Sequence, residues 1–175
     1  MEVWFIILGI LLATFGGVAL VGAPYVPSLR RDIARAFDDL YAIGPDDTII
    51  DMGCGDGVVL REAARRGARA VGYELNPFMT LIAKLVCRRY ETIRIIQANF
   101  WQVKVPGETT LVYTFGDSRD IERMAAWVEA QATRIGRPLY FMSYGFRLNG
   151  RQPLRVSGAH LLYEIAPLQP EKPQV

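Results

Sequence analysis

The stretch Asp51-Met-Gly-Cys-Gly-Asp-Gly57 sets glycines at alternate positions between an apolar run, Thr48-Ile-Ile-Asp-Met52, and a helix-like pattern that begins at Val58. Glycines so spaced remove side chains where a backbone must bend sharply, and they leave main-chain N–H groups bare at a helix N-terminus. A buried strand that passes through such a turn into a helix opens a strand–helix–strand unit, and the rest of the chain repeats the alternation. Val58 to Arg66 reads as a helix stopped by Gly67, and Ala70 to Glu74 as a second strand. Asn76-Pro77 supplies a cap and a first helical residue for a helix to about Arg89. Ile93 to Ala98 and Thr110 to Phe115 are the next strands. Ser118 caps a helix that buries Ile121, Met124, Ala125 and Val128 and ends at Gly136. Leu139 to Tyr144 is a fifth strand and His160 to Ile165 a last one, with too few residues between them for a crossover helix. The expected fold is therefore α/β and Rossmann-like, its sheet mostly parallel and its last strand antiparallel.

What precedes the first strand differs in composition. Val3 to Leu29 contains no charged residue, and Val3 to Ala23 is almost wholly apolar. At about 1.5 Å per residue such a helix reaches about 30 Å, a hydrocarbon core's thickness. An uncleaved transmembrane helix is expected over a cleaved signal peptide, because Glu2 precedes the run and Pro24 follows Gly22 and Ala23. Arg30, Arg31 and Arg35 place the following domain on the cytoplasmic side of a single-pass protein. Gly9, Ala13 and Gly17 form a small-residue stripe that could pack on another membrane helix, or reflect the ordinary composition of such helices. The chain divides into an anchor (1–23), one domain (24–166) and a disordered tail (167–175). Ser28 can cap a connecting helix with Leu29, Ile33, Phe37 and Leu40 on one face, ended by Gly44-Pro45.

The glycine spacing is GxGxG, not the GxGxxG of a dinucleotide site, and Asp51 precedes the first glycine by two. Glu74, ending the second strand, can accept hydrogen bonds from both ribose hydroxyls of a bound nucleoside. Asn99 could read an adenine edge while Phe100 or Trp101 gives an apolar wall; ordinary packing is the alternative for these aromatics. Cys54 fits the turn because it is small, and neither it nor Cys87 is given a redox role. With His160 as the single histidine and no ligand spacing, no metal site is expected. A net charge of +2 without a basic run argues against nucleic acid as a partner.

These residues together resemble the class I S-adenosylmethionine-dependent methyltransferases, over roughly Thr48 to Ile165. Tyr25-Val-Pro-Ser28, Asp51-Met-Gly-Cys-Gly-Asp-Gly57, Val71-Gly-Tyr-Glu-Leu-Asn-Pro77 and Asn99-Phe-Trp101 look more particularly like the membrane-associated lysine methyltransferases of the ATP synthase c-subunit and the adenine nucleotide translocase, and their prokaryotic relatives. The resemblance implies S-adenosyl-L-methionine as cofactor, held by Asp51, Gly53, Cys54, Gly55, Asp56, Gly57, Glu74, Asn99 and Phe100. In that family aspartate usually stands where this chain has Asn99. It also implies a lysine on an integral membrane protein as acceptor. A lipid or lipophilic small molecule is the alternative acceptor, and a non-catalytic cofactor-binding module the alternative role. Asp117, after the fourth strand, is the candidate catalytic residue, with helix capping as its other reading. Tyr25 and Tyr144 could wall the acceptor channel or be core or interface aromatics.

Overall fold

Strands and helices alternate through residues 3–6, 30–116 and 119–168, which the computed structural model describes. Helix α1 (Arg30–Asp39) is followed by β1 (Thr48–Met52), α2 (Val58–Arg65), β2 (Arg69–Glu74), α3 (Pro77–Cys87), β3 (Ile93–Gln97), β4 (Leu111–Thr114), α4 (Ile121–Ile135), β5 (Leu139–Tyr144), β6 (Arg155–Ser157) and β7 (His160–Ile165). One sheet orders them β3-β2-β1-β4-β5-β7-β6. β1 to β5 run parallel, and β7 lies antiparallel between β5 and β6. The order reverses between β1 and β4, and a crevice at the strands' carboxyl ends is the usual ligand position in such a sheet.

Burial on both faces explains the near-continuous apolar reading of the central strands: every residue of β1 and β4 is buried. On one face Ile33 and Phe37 of α1 and Leu60 of α2 pack over Ile49, Leu111, Met142 and Leu162. On the other, Met124, Val128 and Ala132 of α4 cover Ile50, Val112, Phe141 and Tyr163. Truncating Leu60, Ile50 or Met124 to alanine would cost about 2–5 kcal/mol. An ionic cluster ties α1 to α2: Glu62 receives Arg30 and Arg65, each at 3.0 Å, and Arg66, which also reaches Asp38. Burial alone would raise the Glu62 carboxyl, but the surrounding guanidinium groups hold it below its ordinary range.

Three boundaries differ from the sequence reading. α1 ends at Asp39, before Gly44-Pro45, because Asp47 organises the segment between: its carboxylate accepts from the Gly44 N–H and from the Tyr41 and Thr110 hydroxyls. The stretch before His160 holds β6, joined to β7 through Gly158 in a left-handed conformation; its polar composition suits an edge strand and hid it. Past Ile165 the chain stays attached as far as Leu168, whose N–H donates to Thr133 Oγ1 at 2.8 Å. The expected membrane helix, the Ser28 and Ser118 caps, Tyr25, Asp117 and most of the tail lie outside the described residues, apart from helical residues 3–6. Among the described residues no helix is long and apolar enough to cross a membrane.

Candidate functional site

β1 ends in a turn whose shape is set by main-chain bonds. The N–H groups of Gly53 and Cys54 both donate to Tyr73 O at the end of β2, at 2.9 and 3.1 Å. Gly53, Gly55 and Gly57 all have positive φ, 79°, 52° and 77°, which residues with a Cβ rarely adopt. A Cβ on Gly53 would meet nothing within 4 Å, so open space lies over the turn. A second requirement comes from a glycine that the sequence reading did not single out. A Cβ on Gly72 would lie 2.5 Å from Leu60 Cδ1 and 2.8 Å from Cys54 Cβ, so β2 approaches the turn only as glycine. Cys54 is accordingly buried in that contact, its thiol pushed up in pKa by burial.

Glu74 stands where the sequence placed it and is gripped from both sides. Its Oε2 accepts the Gly55 N–H at 3.0 Å and its Oε1 the Asn76 N–H at 2.8 Å. Asn76 then caps α3, accepting from the Phe78 and Met79 N–H groups. Each Glu74 oxygen keeps further acceptor capacity, which suits a diol presented from the crevice. Asp51 is buried beside it and its carboxylate makes no hydrogen bond among the described residues. Burial, then the charges of Glu74 and Asp56, push its carboxyl well above the ordinary range. A cation brought here would relieve that repulsion.

The other expected contacts divide. Asp56 is engaged within the fold: one oxygen accepts the Val58 N–H at 3.2 Å at the start of α2, and the other pairs with Arg61 at 3.2 Å. Asn99 Oδ1 accepts the Trp101 N–H at 3.1 Å, capping a short 3-10 turn over Phe100–Gln102. An aspartate would cap equally, and the Asn99 amide nitrogen is left for a ligand edge. Phe100 packs on Trp101 at 4.5 Å between ring centroids, and the Arg123 guanidinium lies 4.1 Å over the Trp101 ring.

Across the switch point the same edge carries a cleft of about 130 Å³ lined by Asp32, Arg35, Tyr144, Gly158 and His160. Tyr113, the register partner of Asp51, approaches His160 Nε2 with its hydroxyl at 3.1 Å. Tyr144 packs edge-on against His160 at 4.8 Å and stacks on Phe115 at 4.7 Å. Burial lowers His160 to about 4, against a smaller opposing pull from Asp32, so the ring is neutral at neutral pH. Of this group only Tyr144 was a sequence candidate. His160 and Asp32 are separated by most of the chain, and no local spacing joins them.

Residues 49–133 match the family described as "Methyltransferase domain". A protein-lysine N-methyltransferase of Saccharolobus islandicus is 27% identical over 141 residues, covering 76% of this chain and 83% of that protein. A lysine N-methyltransferase of the ATP synthase c-subunit from Xenopus laevis is 30% identical over 83 residues, 46% of this chain. That match spans only 36% of the Xenopus protein. Among solved structures, an RNA methyltransferase of Salinibacter ruber in complex with S-adenosyl-L-homocysteine superposes with a TM-score of 0.74 at 20% identity, over 86% of this chain and all of that one, a likeness of fold.

Proposed function

Given that the chain carries a methyltransferase domain over residues 49–133, we propose that it methylates a lysine side chain of a membrane protein, with S-adenosyl-L-methionine as methyl donor. The observation that carries the cofactor half is the Glu74 carboxylate, locked by the Gly55 and Asn76 N–H groups beside a turn of left-handed glycines. When bound, S-adenosyl-L-methionine supplies a methyl group on a sulfonium, open to direct displacement by a nucleophile. Glu74 would hold the ribose diol, the open space over Gly53 would let the ligand approach the backbone of the turn closely, and Asp51 with Glu74 would favour its positive charge. Asn99 and Phe100 would border the adenine.

For the acceptor, the chain's own residues have to position a nitrogen and free its lone pair. The cleft of Tyr144, His160 and Asp32 suits this: Asp32 attracts a cation to an opening that Arg35 also lines, and burial there favours the neutral amine over the ammonium. Asp117, which follows β4 in the sequence, is proposed as a carboxylate toward which the proton could leave. Lysine is favoured by the relatives from Saccharolobus islandicus and Xenopus laevis. The uncharged run from Val3 to Leu29 favours a membrane-bound acceptor, since tethering raises its effective concentration. A single span with the domain on the cytoplasmic side is proposed on the same run and the arginines that follow it.

Labelled methyl transfer into membranes lacking the protein, with wild type or Glu74→Ala added back, tests the reading. Label is expected on lysines of an integral membrane protein, with wild type only. Label confined to lipid or to soluble proteins would overturn the acceptor, and a wild-type chain that fails to bind S-adenosyl-L-methionine would overturn the activity.

A further inference from the structure

α3 is apolar on both sides. Its inner face buries Met79, Ala83 and Cys87 against the sheet. Its outer face nevertheless carries Leu81 and Leu85, 64% and 58% exposed, with Val86 also open to solvent. Four residues apart, Leu81 and Leu85 form one stripe. Lys84, Arg88 and Arg89 flank that stripe, all exposed, and α3 contains no acidic residue. None of the three cations forms an ion pair among the described residues. The outer faces of α1 and α4 are different: they show Arg31, Asp38 and Asp39, and Glu122 and Arg123, the mixed charge of an ordinary solvated helix.

We propose that the outer face of α3 lies in the interfacial layer of an anionic bilayer, with Leu81 and Leu85 toward the acyl chains and Lys84, Arg88 and Arg89 reaching the phosphates. Apolar centre and basic flanks are the composition of a helix that binds in the membrane plane, and long basic side chains can lay their stems on lipid while their heads stay at the phosphates. Charge selects this occupant over the others. A second copy packed face to face would set the same cations against each other. The chain's own run from Val3 to Leu29 has no charged residue to pair with them. An anionic lipid surface answers both the leucines and the cations. Because Asn76 caps α3 immediately beyond Glu74, docking here would also hold the candidate site next to the bilayer. The proposal goes beyond methyl transfer and does not rest on it.

The test uses the full chain in vesicles of phosphatidylcholine with phosphatidylglycerol. A polarity-sensitive fluorophore is placed at Leu81→Cys, Leu85→Cys or, on α4, Ala130→Cys; Cys54 and Cys87 are buried and do not compete for label. Doxyl-labelled lipid is expected to quench positions 81 and 85 several-fold more than 130. Reversing Lys84 and Arg88 to glutamate should lower the docked population by at least about fivefold per residue, with cooperative thermal unfolding retained. Quenching at 81 and 85 no stronger than at 130 would overturn the proposal. Shielding there without lipid quenching would do the same, since the occupant would then be protein. Quenching indifferent to phosphatidylglycerol and to both reversals would overturn it too. Each readout is independent of catalysis, so failure here leaves the methyl-transfer reading standing, and the reverse.

Discussion

The two halves of the sheet's carboxyl edge are built in opposite ways. At β1 and β2 the site consists of main-chain groups held by near neighbours, the left-handed Gly53, Gly55 and Gly57 and the N–H groups that grip Glu74. At β4, β5 and β7 it consists of side chains from distant segments, with Tyr113, Tyr144 and His160 meeting beneath Asp32 of α1. A backbone site tolerates almost no change of residue size. A side-chain site can be altered to suit another acceptor while the cofactor half stays intact.

The comparison breaks most severely at Gly72. Gly72→Val would drive a branched side chain into Leu60 and Cys54, both under 3.0 Å from the added Cβ; overpacking of this kind costs about 1–3 kcal/mol or more. Melting temperature and S-adenosyl-L-methionine binding should fall together, and a variant with wild-type values in both would show that the close approach is dispensable. Glu74→Ala comes next. It strips the acceptor from the Gly55 and Asn76 N–H groups, at about 1–3 kcal/mol for each one left unsatisfied. Calorimetry should show cofactor affinity about tenfold to a hundredfold lower, with Glu74→Gln intermediate.

Tyr113→Phe sharpens the comparison from the other side. It leaves the buried His160 Nε2 without its partner, a loss of about 1–3 kcal/mol in stability. Methyl transfer should drop while cofactor affinity changes by less than about twofold, because the hydroxyl that is lost bonds to His160, and the β1–β4 pairing that joins the halves is main-chain and stays intact. Loss of cofactor binding in this variant would merge the halves.

Stability against pH separates them again. His160 is held at about 4 in the fold against an ordinary 6.5, so the unfolded chain takes up a proton first as pH falls. The stabilisation is complete above 6.5, declines below it, and is lost by about 4. The depressed Glu62 carboxyl acts in the same direction in the acid range: its contribution is present above the ordinary carboxylate pKa and vanishes as pH drops through the lowered one. Asp51, raised by burial, opposes both and favours the folded state as it protonates. Chemical denaturation across this range should show a limb between 6.5 and about 4 that disappears in His160→Gln while the more acid limb remains. The smallest effect is expected from Asp32→Asn at the cleft rim: cofactor binding unchanged and KM for a cationic acceptor raised by up to about fivefold.

Much of the fold was legible because its signals are local. β5 and β7 fall on the residues expected, and α4 ends at Gly136 in a left-handed cap. The glycine turn and Glu74 could be found because a backbone geometry that only glycine adopts, and an acid at a strand end, are written in consecutive residues. Elsewhere tertiary contacts decided. α1 stops short of Gly44 because Asp47 bonds across the loop. β6 exists because β7 offers it an edge, and Gly72 matters because Leu60 and Cys54 press on it. The His160 cleft draws on α1, β5 and β7, and no periodicity along the chain encodes which distant side chains will share it. What the sequence determined by itself was the alternation of elements and the main-chain half of the site, since propensity and φ are properties of single residues and near neighbours. Only the packed structure determined the side-chain half, because proximity between remote residues is a property of the whole sheet.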